Sequence, residues 1–129
     1  MTMNILKYLE NRGIDRNLRG HNSYKLESSP FMPLTIETWY AGNILNISIC
    51  HYGKQNGDLM KDPDILMEFD SEKVLNQLTF IEFQNDYTGT YQSRDSNPNF
   101  QAEMSYFMET WISNLVSQGH ALTEKEIEN

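Results

Sequence analysis

The chain has one cysteine, Cys50, in 129 residues, so no disulfide can form within it. That usage fits a reducing compartment. No apolar run approaches the roughly 20 residues a membrane-spanning helix needs. The start, Met1-Thr2-Met3-Asn4, lacks the charged-then-apolar pattern of a signal peptide. A soluble, cytoplasmic protein with no membrane partner is therefore expected. Positive charge is also scarce, at 10 Lys and Arg against 18 Asp and Glu, for a net −8. Affinity for nucleic acid comes chiefly from Lys and Arg neutralising phosphates, so no direct nucleic-acid binding is expected. The sequence has no Gly-rich phosphate loop, no Gly-x-Ser-x-Gly, no His-Glu-x-x-His and no paired-cysteine metal spacing. Neither a cofactor nor a catalytic residue is assigned, and a non-enzymatic role is the favoured reading.

What is present is enough for one folded core. The apolar fraction is 39% and the aromatic fraction 12%, with aromatics spread from Tyr8 to Trp111, and 129 residues suit a single domain. Residues 1–13 read as a short N-terminal helix: Ile5, Leu6, Tyr8 and Leu9 form one stripe, closed by Gly13. His21 falls in a loop, and Ser23 to Leu26 can make a brief strand.

Residues 33–92 read as antiparallel sheet. Leu34, Ile36, Thr38 and Tyr40 alternate with Thr35, Glu37 and Trp39. After a turn at Ala41-Gly42-Asn43, Leu45, Ile47 and Ile49 alternate with Asn46, Ser48 and Cys50. Ile65, Met67 and Phe69 continue the pattern. Next comes Leu78 to Phe83, with Ile81 and Phe83 expected on one face and Phe80 and Glu82 on the other. A weaker run, Tyr87 to Gln92, follows. Residues 97–119 read as a long helix: Pro98 at its first position, Phe100, Met104, Phe107, Met108, Trp111, Ile112 and Leu115 at helical spacing, and Gly119 as its stop. Residues 121–129, with His120 before them, read as an acidic, frayed tail. The predicted fold is α+β: a four- to five-stranded meander sheet, the C-terminal helix packed on one face, and a short N-terminal helix.

Charge is unevenly placed. Residues 1–25 carry Lys7, Arg12, Arg16, Arg19 and Lys25 against Glu10 and Asp15, a net +3 that leaves −11 for the rest. Residues 58–72 hold Asp58, Asp62, Asp64, Glu68, Asp70 and Glu72 against Lys61. Such a stretch is either a solvated, solubilising face or a surface that attracts a basic protein.

The segment from His51 to Asp64 is the most polar connection between apolar strands. Asn56-Gly57 is a favoured type I′ turn dipeptide, and hairpin geometry alone accounts for much of the composition. The alternative is a site: His51, Asp58, Asp62 and Asp64 converge at one end of the sheet, bind a hard divalent metal and support a hydrolase or nuclease. Two features weigh against chemistry here. An EF-hand register starting at Asp58 puts Met60, Leu66 and Phe69 at ligand positions and Pro63 at the glycine position. Cys50 and His51 are adjacent on a strand, so they point to opposite faces and cannot pair as nucleophile and base.

The run His51-Tyr52-x-x-Gln55-Asn56-Gly57-Asp58-Leu59-Met60-x-Asp62-Pro63, with a downstream Tyr91-Gln92 and the Trp111-bearing final helix, resembles an uncharacterised domain family of phages, plasmids and conjugative elements. The likeness spans Leu34 to Gly119. It implies a mobile-element setting, in which small acidic proteins often inhibit host defence, as anti-CRISPR and other anti-defence proteins do. The resulting expectation is a protein-binding inhibitor whose partner has a basic surface, such as a CRISPR effector nuclease. Its contact residues would be Trp39, Gln55, Asn56, Asp58, Asp62, Asp64, Glu68, Asp70 and Glu72. A homodimer through an uncovered sheet face or edge is a further expectation.

Overall fold

In a computed structural model, which describes residues 2–70 and 78–127, two helices flank one antiparallel sheet. The elements are α1 (Thr2–Asn11), β1 (Asn22–Glu27), β2 (Leu34–Ala41), β3 (Ile44–Gln55), β4 (Asp58–Phe69), β5 (Leu78–Asn85), β6 (Thr90–Ser93), α2 (Phe100–Gln118) and β7 (Ala121–Ile127). Strand order is β6-β5-β4-β3-β2-β1-β7. Strands one to six follow one another in the antiparallel order expected, but with six strands, and the chain then returns to add β7 beside β1. That return explains the length of α2. Its 19 residues span roughly 28 Å at 1.5 Å each, about the roughly 29 Å covered by the gaps between neighbouring strands across the sheet.

The core lies between the helices and one sheet face. Ile36, Ile49 and Ile65 are paired across β2, β3 and β4, as are Thr38, Ile47 and Met67, and all six are buried. Ile5, Leu6, Tyr8 and Leu9 from α1 and Phe100, Met104, Met108, Trp111, Ile112 and Leu115 from α2 join the same cluster. Fully burying each large apolar side chain contributes about 1.5–3 kcal/mol. Both helices therefore sit on one side of the sheet. Gly119 ends α2 in a left-handed conformation at φ 76°, its N–H bonding to the carbonyls of Leu115 and Val116, as the sequence led one to expect.

The structure departs from the sequence reading at several points. The sheet has seven strands rather than four or five. β7 was masked by its charges: Ala121–Ile127, expected to fray, bury only Leu122 in part, and their pairing with β1 is a backbone matter that side-chain patterning does not reveal. The polar segment after His51 is not an open loop, because β3 and β4 run on to a two-residue turn at Asn56 (φ 52°) and Gly57 (φ 85°). The expected faces of β5 change as well. Register slips between Leu66 and Met67, so Phe80 pairs with Met67 and Phe83 with Ile65, and both rings turn toward the core. A bulge of this kind resets the two-residue period. Finally, α2 begins at Phe100 rather than Pro98: Asn97 Oδ1 accepts from the N–H of Asn99, and Pro98 and Asn99 form a turn closed by the Phe100 N–H on the Asn97 carbonyl.

Candidate functional site

The second sheet face is built by strand alternation. Residues facing away from the helices fall into rows set by the register. One row runs Glu126, Ser23, Glu37, Ser48, Leu66, Glu82, Ser93 across all seven strands. A second runs Glu124, Lys25, Thr35, Cys50, Asp64, Gln84, Tyr91. A third holds Trp39, Asn46, Glu68 and Thr79. No helix among the described residues packs on this face. It gathers the carboxylates of Glu37, Asp64, Glu68, Glu82, Glu124 and Glu126, with Trp39 and Leu66 supplying apolar surface between them.

Opposing charges on the face are few and loosely held. Lys61 Nζ lies 3.4 Å from Asp64, Arg94 lies 3.6 Å from Glu68, and His21 Nε2 lies 2.8 Å from Glu37; Lys25 shares the second row. Ion pairs this accessible stabilise by only about 0–1 kcal/mol. The arginines near the amino end are engaged elsewhere. Arg12 lies 4.6 Å from the Tyr8 ring centroid, Arg16 5.3 Å from that of Phe69 and Arg19 4.0 Å from that of Tyr40, and these rings belong to or pack against the core cluster. Of the cations in residues 1–25, these three arginines thus lie against core rings, while Lys25 sits beside Glu124 on the acidic face.

The contact residues read from the sequence are spread over four places among the described residues. Trp39, Asp64 and Glu68 are on the acidic face. Gln55, Asn56 and Asp58 form the exposed tip of the β3–β4 hairpin. Asp62 instead faces the β5–β6 turn, where it accepts from Asn85 Nδ2 at 3.0 Å. Asp70 follows the end of β4, and Glu72 lies outside the described residues. Sequence reading missed Glu37, Glu82, Glu124 and Glu126. Alternation on β2 already placed Glu37 beside Trp39, whereas Glu82 was hidden by the bulge and the β7 pair by an unrecognised strand.

The motif segment owes much of its composition to a brace. The Asp86 carboxylate accepts the Lys61 N–H at 2.8 Å, and the Asp86 N–H is bonded to the Lys61 carbonyl, also at 2.8 Å. Tyr87 donates to the Lys54 carbonyl at 3.3 Å. The β5–β6 turn is therefore fastened along the β3–β4 arm, and the bonds to the Lys61 N–H and Gln84 hold the Asp86 carboxyl below its ordinary range.

The four residues of the metal alternative are not brought together. His51 pairs with Leu34 on the helix side, its ring 5.3 Å from Trp111 and 5.9 Å from His120. Asp64 is on the opposite face, Asp58 at the hairpin tip, and Asp62 against Asn85. Among the described residues no three His, Cys, Asp or Glu side chains are grouped to hold a metal ion. His51 Nδ1 donates to the Pro33 carbonyl at 3.0 Å and His120 Nε2 to the Met32 carbonyl at 2.8 Å. Burial pushes the His51 pKa down, reinforced by His120. His120 is buried, and His21 is stacked on Trp39.

Cys50 is also poorly suited to chemistry. Burial, with the nearby Asp64 carboxylate, pushes its thiol up to about 12, so almost no thiolate forms at neutral pH. Tyr52 beside it is raised by burial and by Cys50. Ser48 donates to Asp64 at 2.9 Å, a pair with no imidazole to take up a proton. The face offers charge, hydrogen-bond acceptors and an indole.

No helix among the described residues is long and apolar enough to cross a membrane. A family model described as a domain of unknown function, DUF6908, matches residues 3–121. No curated protein and no solved structure matches the chain.

Proposed function

We propose that this chain, which belongs to the DUF6908 family, is a non-catalytic protein binder whose acidic sheet face docks on a basic, nucleic-acid-binding surface of its partner. The observation that carries the reading is the register itself. It lines up Glu126 with Glu37 and Glu82, and Glu124 with Asp64, on a face that no helix of the described residues covers. Carboxylates at strand spacing stand in for phosphates, and complementary charge speeds encounter and sets orientation. An uncovered acidic face also disfavours self-association through it, because two copies would meet like charge to like charge.

The resemblance of the motif to mobile-element domains makes a host defence nuclease, of the CRISPR effector type, the first partner to test. The purified chain is titrated into the nuclease with and without a duplex oligonucleotide. Tight binding that the duplex displaces, and that protects the nuclease surface from the duplex in return, is the expected result. Binding indifferent to the duplex would remove the proposal that carboxylates occupy the nucleic-acid surface.

A further inference from the structure

We infer that the Trp39 corner of the acidic face is a slot for an arginine side chain of the partner protein, and that His21 fills it in the free molecule. The inference rests on the reading that this face meets a cationic protein. The imidazole of His21 stacks on the Trp39 indole, with ring centroids 5.4 Å apart and planes 21° apart. The same ring's Nε2 lies 2.8 Å from Glu37 Oε2. Glu37 is two residues before Trp39 on β2, so both project from the same face. A flat nitrogen donor lying over an indole while handing an N–H to a carboxylate is how a guanidinium is recognised.

Space and charge favour replacement of the imidazole. Next to it is an open recess of about 450 Å³, lined by His21, Ser23, Glu37, Glu126 and Ile127. Glu126 and Glu37 flank Ser23 in one row, giving a second carboxylate within the same recess. His21 has about half of its side chain exposed, at 51%, and it precedes β1, so swinging it out disturbs no strand pairing. A guanidinium is charged at every pH at which the protein folds, presents a fork of donors to Glu37 and keeps the stacked contact. The ammonium of lysine is a point charge that keeps only the Coulomb attraction.

The test uses the full chain and two probes, an acetylated and amidated tri-arginine peptide and its tri-lysine counterpart, followed by the indole N–H signals of Trp39 and Trp111 in NMR. The slot predicts that the arginine peptide moves the Trp39 signal and binds about threefold or more tighter than the lysine peptide, the size of one cation–π contact. His21→Ala, in an exposed loop position, should tighten arginine binding by a similar factor, and Trp39→Leu and Glu37→Gln should each erase the preference for arginine. Equal binding of both peptides with Trp39 unmoved, or weaker binding in His21→Ala, overturns the slot. If both peptides bind, lose affinity on Asp64→Lys with Glu68→Lys, and ignore Trp39, the slot falls while the acidic docking face stands. If neither peptide binds, both fall.

Discussion

Tyr87 lies directly over Gly53. A Cβ built at Gly53 would collide with the Tyr87 hydroxyl and crowd its ring, and that hydroxyl bonds to the next carbonyl along the strand, Lys54, at 3.3 Å. A glycine in the middle of a long strand is therefore explained by the close approach of an aromatic ring from another hairpin. Together with Asp86 on Lys61 and Asn85 on Asp62, this contact holds the β3–β4 arm and its exposed Asn56-Gly57 tip in place.

Gly53→Ala should push the half-exposed Tyr87 ring aside and break its bond to the Lys54 carbonyl, destabilising the protein by about 0.5–1.5 kcal/mol, the usual worth of one hydrogen bond. Tyr87→Phe, which keeps the ring and loses only the hydrogen bond, should cost about 0.5–1.5 kcal/mol. Chemical denaturation with equal slopes for wild type and variants checks both values. The double variant should cost less than the sum of the two, since without the hydroxyl the added methyl has its nearest obstacle removed.

Asp86 gives the same brace a dependence on acid. Its carboxyl titrates below the ordinary range because it accepts the Lys61 N–H and bonds to Gln84. The folded pKa is depressed, so the stabilisation is present above the unfolded value of about 3.8 and is lost as pH falls through the folded one. Asp86→Ala should lower stability at neutral pH and reduce the acid loss in that window, as read from thermal unfolding between about pH 2 and 5.

His51 adds a second slope at higher pH. Burial, then the neighbouring His120, lowers its pKa below 6.5 in the folded state, so the unfolded chain takes up a proton that the folded chain resists. Its effect is absent above pH 6.5, and stability declines as pH drops from there toward the folded pKa. His51→Asn keeps a donor for the Pro33 carbonyl without the titrating ring. That variant should flatten the slope between pH 7 and 5, and an unchanged slope would show that another group carries it.

Cys50 is 2% exposed and its thiol is pushed up to about 12. In folded protein at pH 8 it should resist iodoacetamide for hours and react within minutes once denatured. Fast labelling of the folded chain would mean that the centre of the acidic face opens.

Side-chain periodicity made the inner architecture legible. The alternations Leu34-Ile36-Thr38 and Leu45-Ile47-Ile49 placed β2 and β3, and the spacing from Phe100 to Leu115 placed α2, because each segment buries one face and leaves the other in water. What stayed hidden depends on backbone pairing and long-range contact. β7 offers Glu124, Lys125 and Glu126 where a strand search looks for apolar residues, yet its backbone completes the sheet beside β1. Asp62 and Asp64 look equivalent in sequence, but one turns to Asn85 and the other to the acidic face, and the register slip between Cys50 and Tyr52 separates them. The acidic segment was visible as composition. Its true extent, reaching Glu37, Glu82, Glu124 and Glu126, needed the register of seven strands.

Docking through the open face depends on where negative charge acts. Binding to the proposed nuclease partner is measured for Asp64→Lys with Glu82→Lys on the open face, and for a control, Glu10→Lys with Glu109→Lys on the helices, that shifts net charge equally. At least a tenfold loss is expected for the open-face pair, shrinking as salt is raised, with little change for the control. Equal losses from the two pairs would contradict docking through that face, because net charge alone would then suffice.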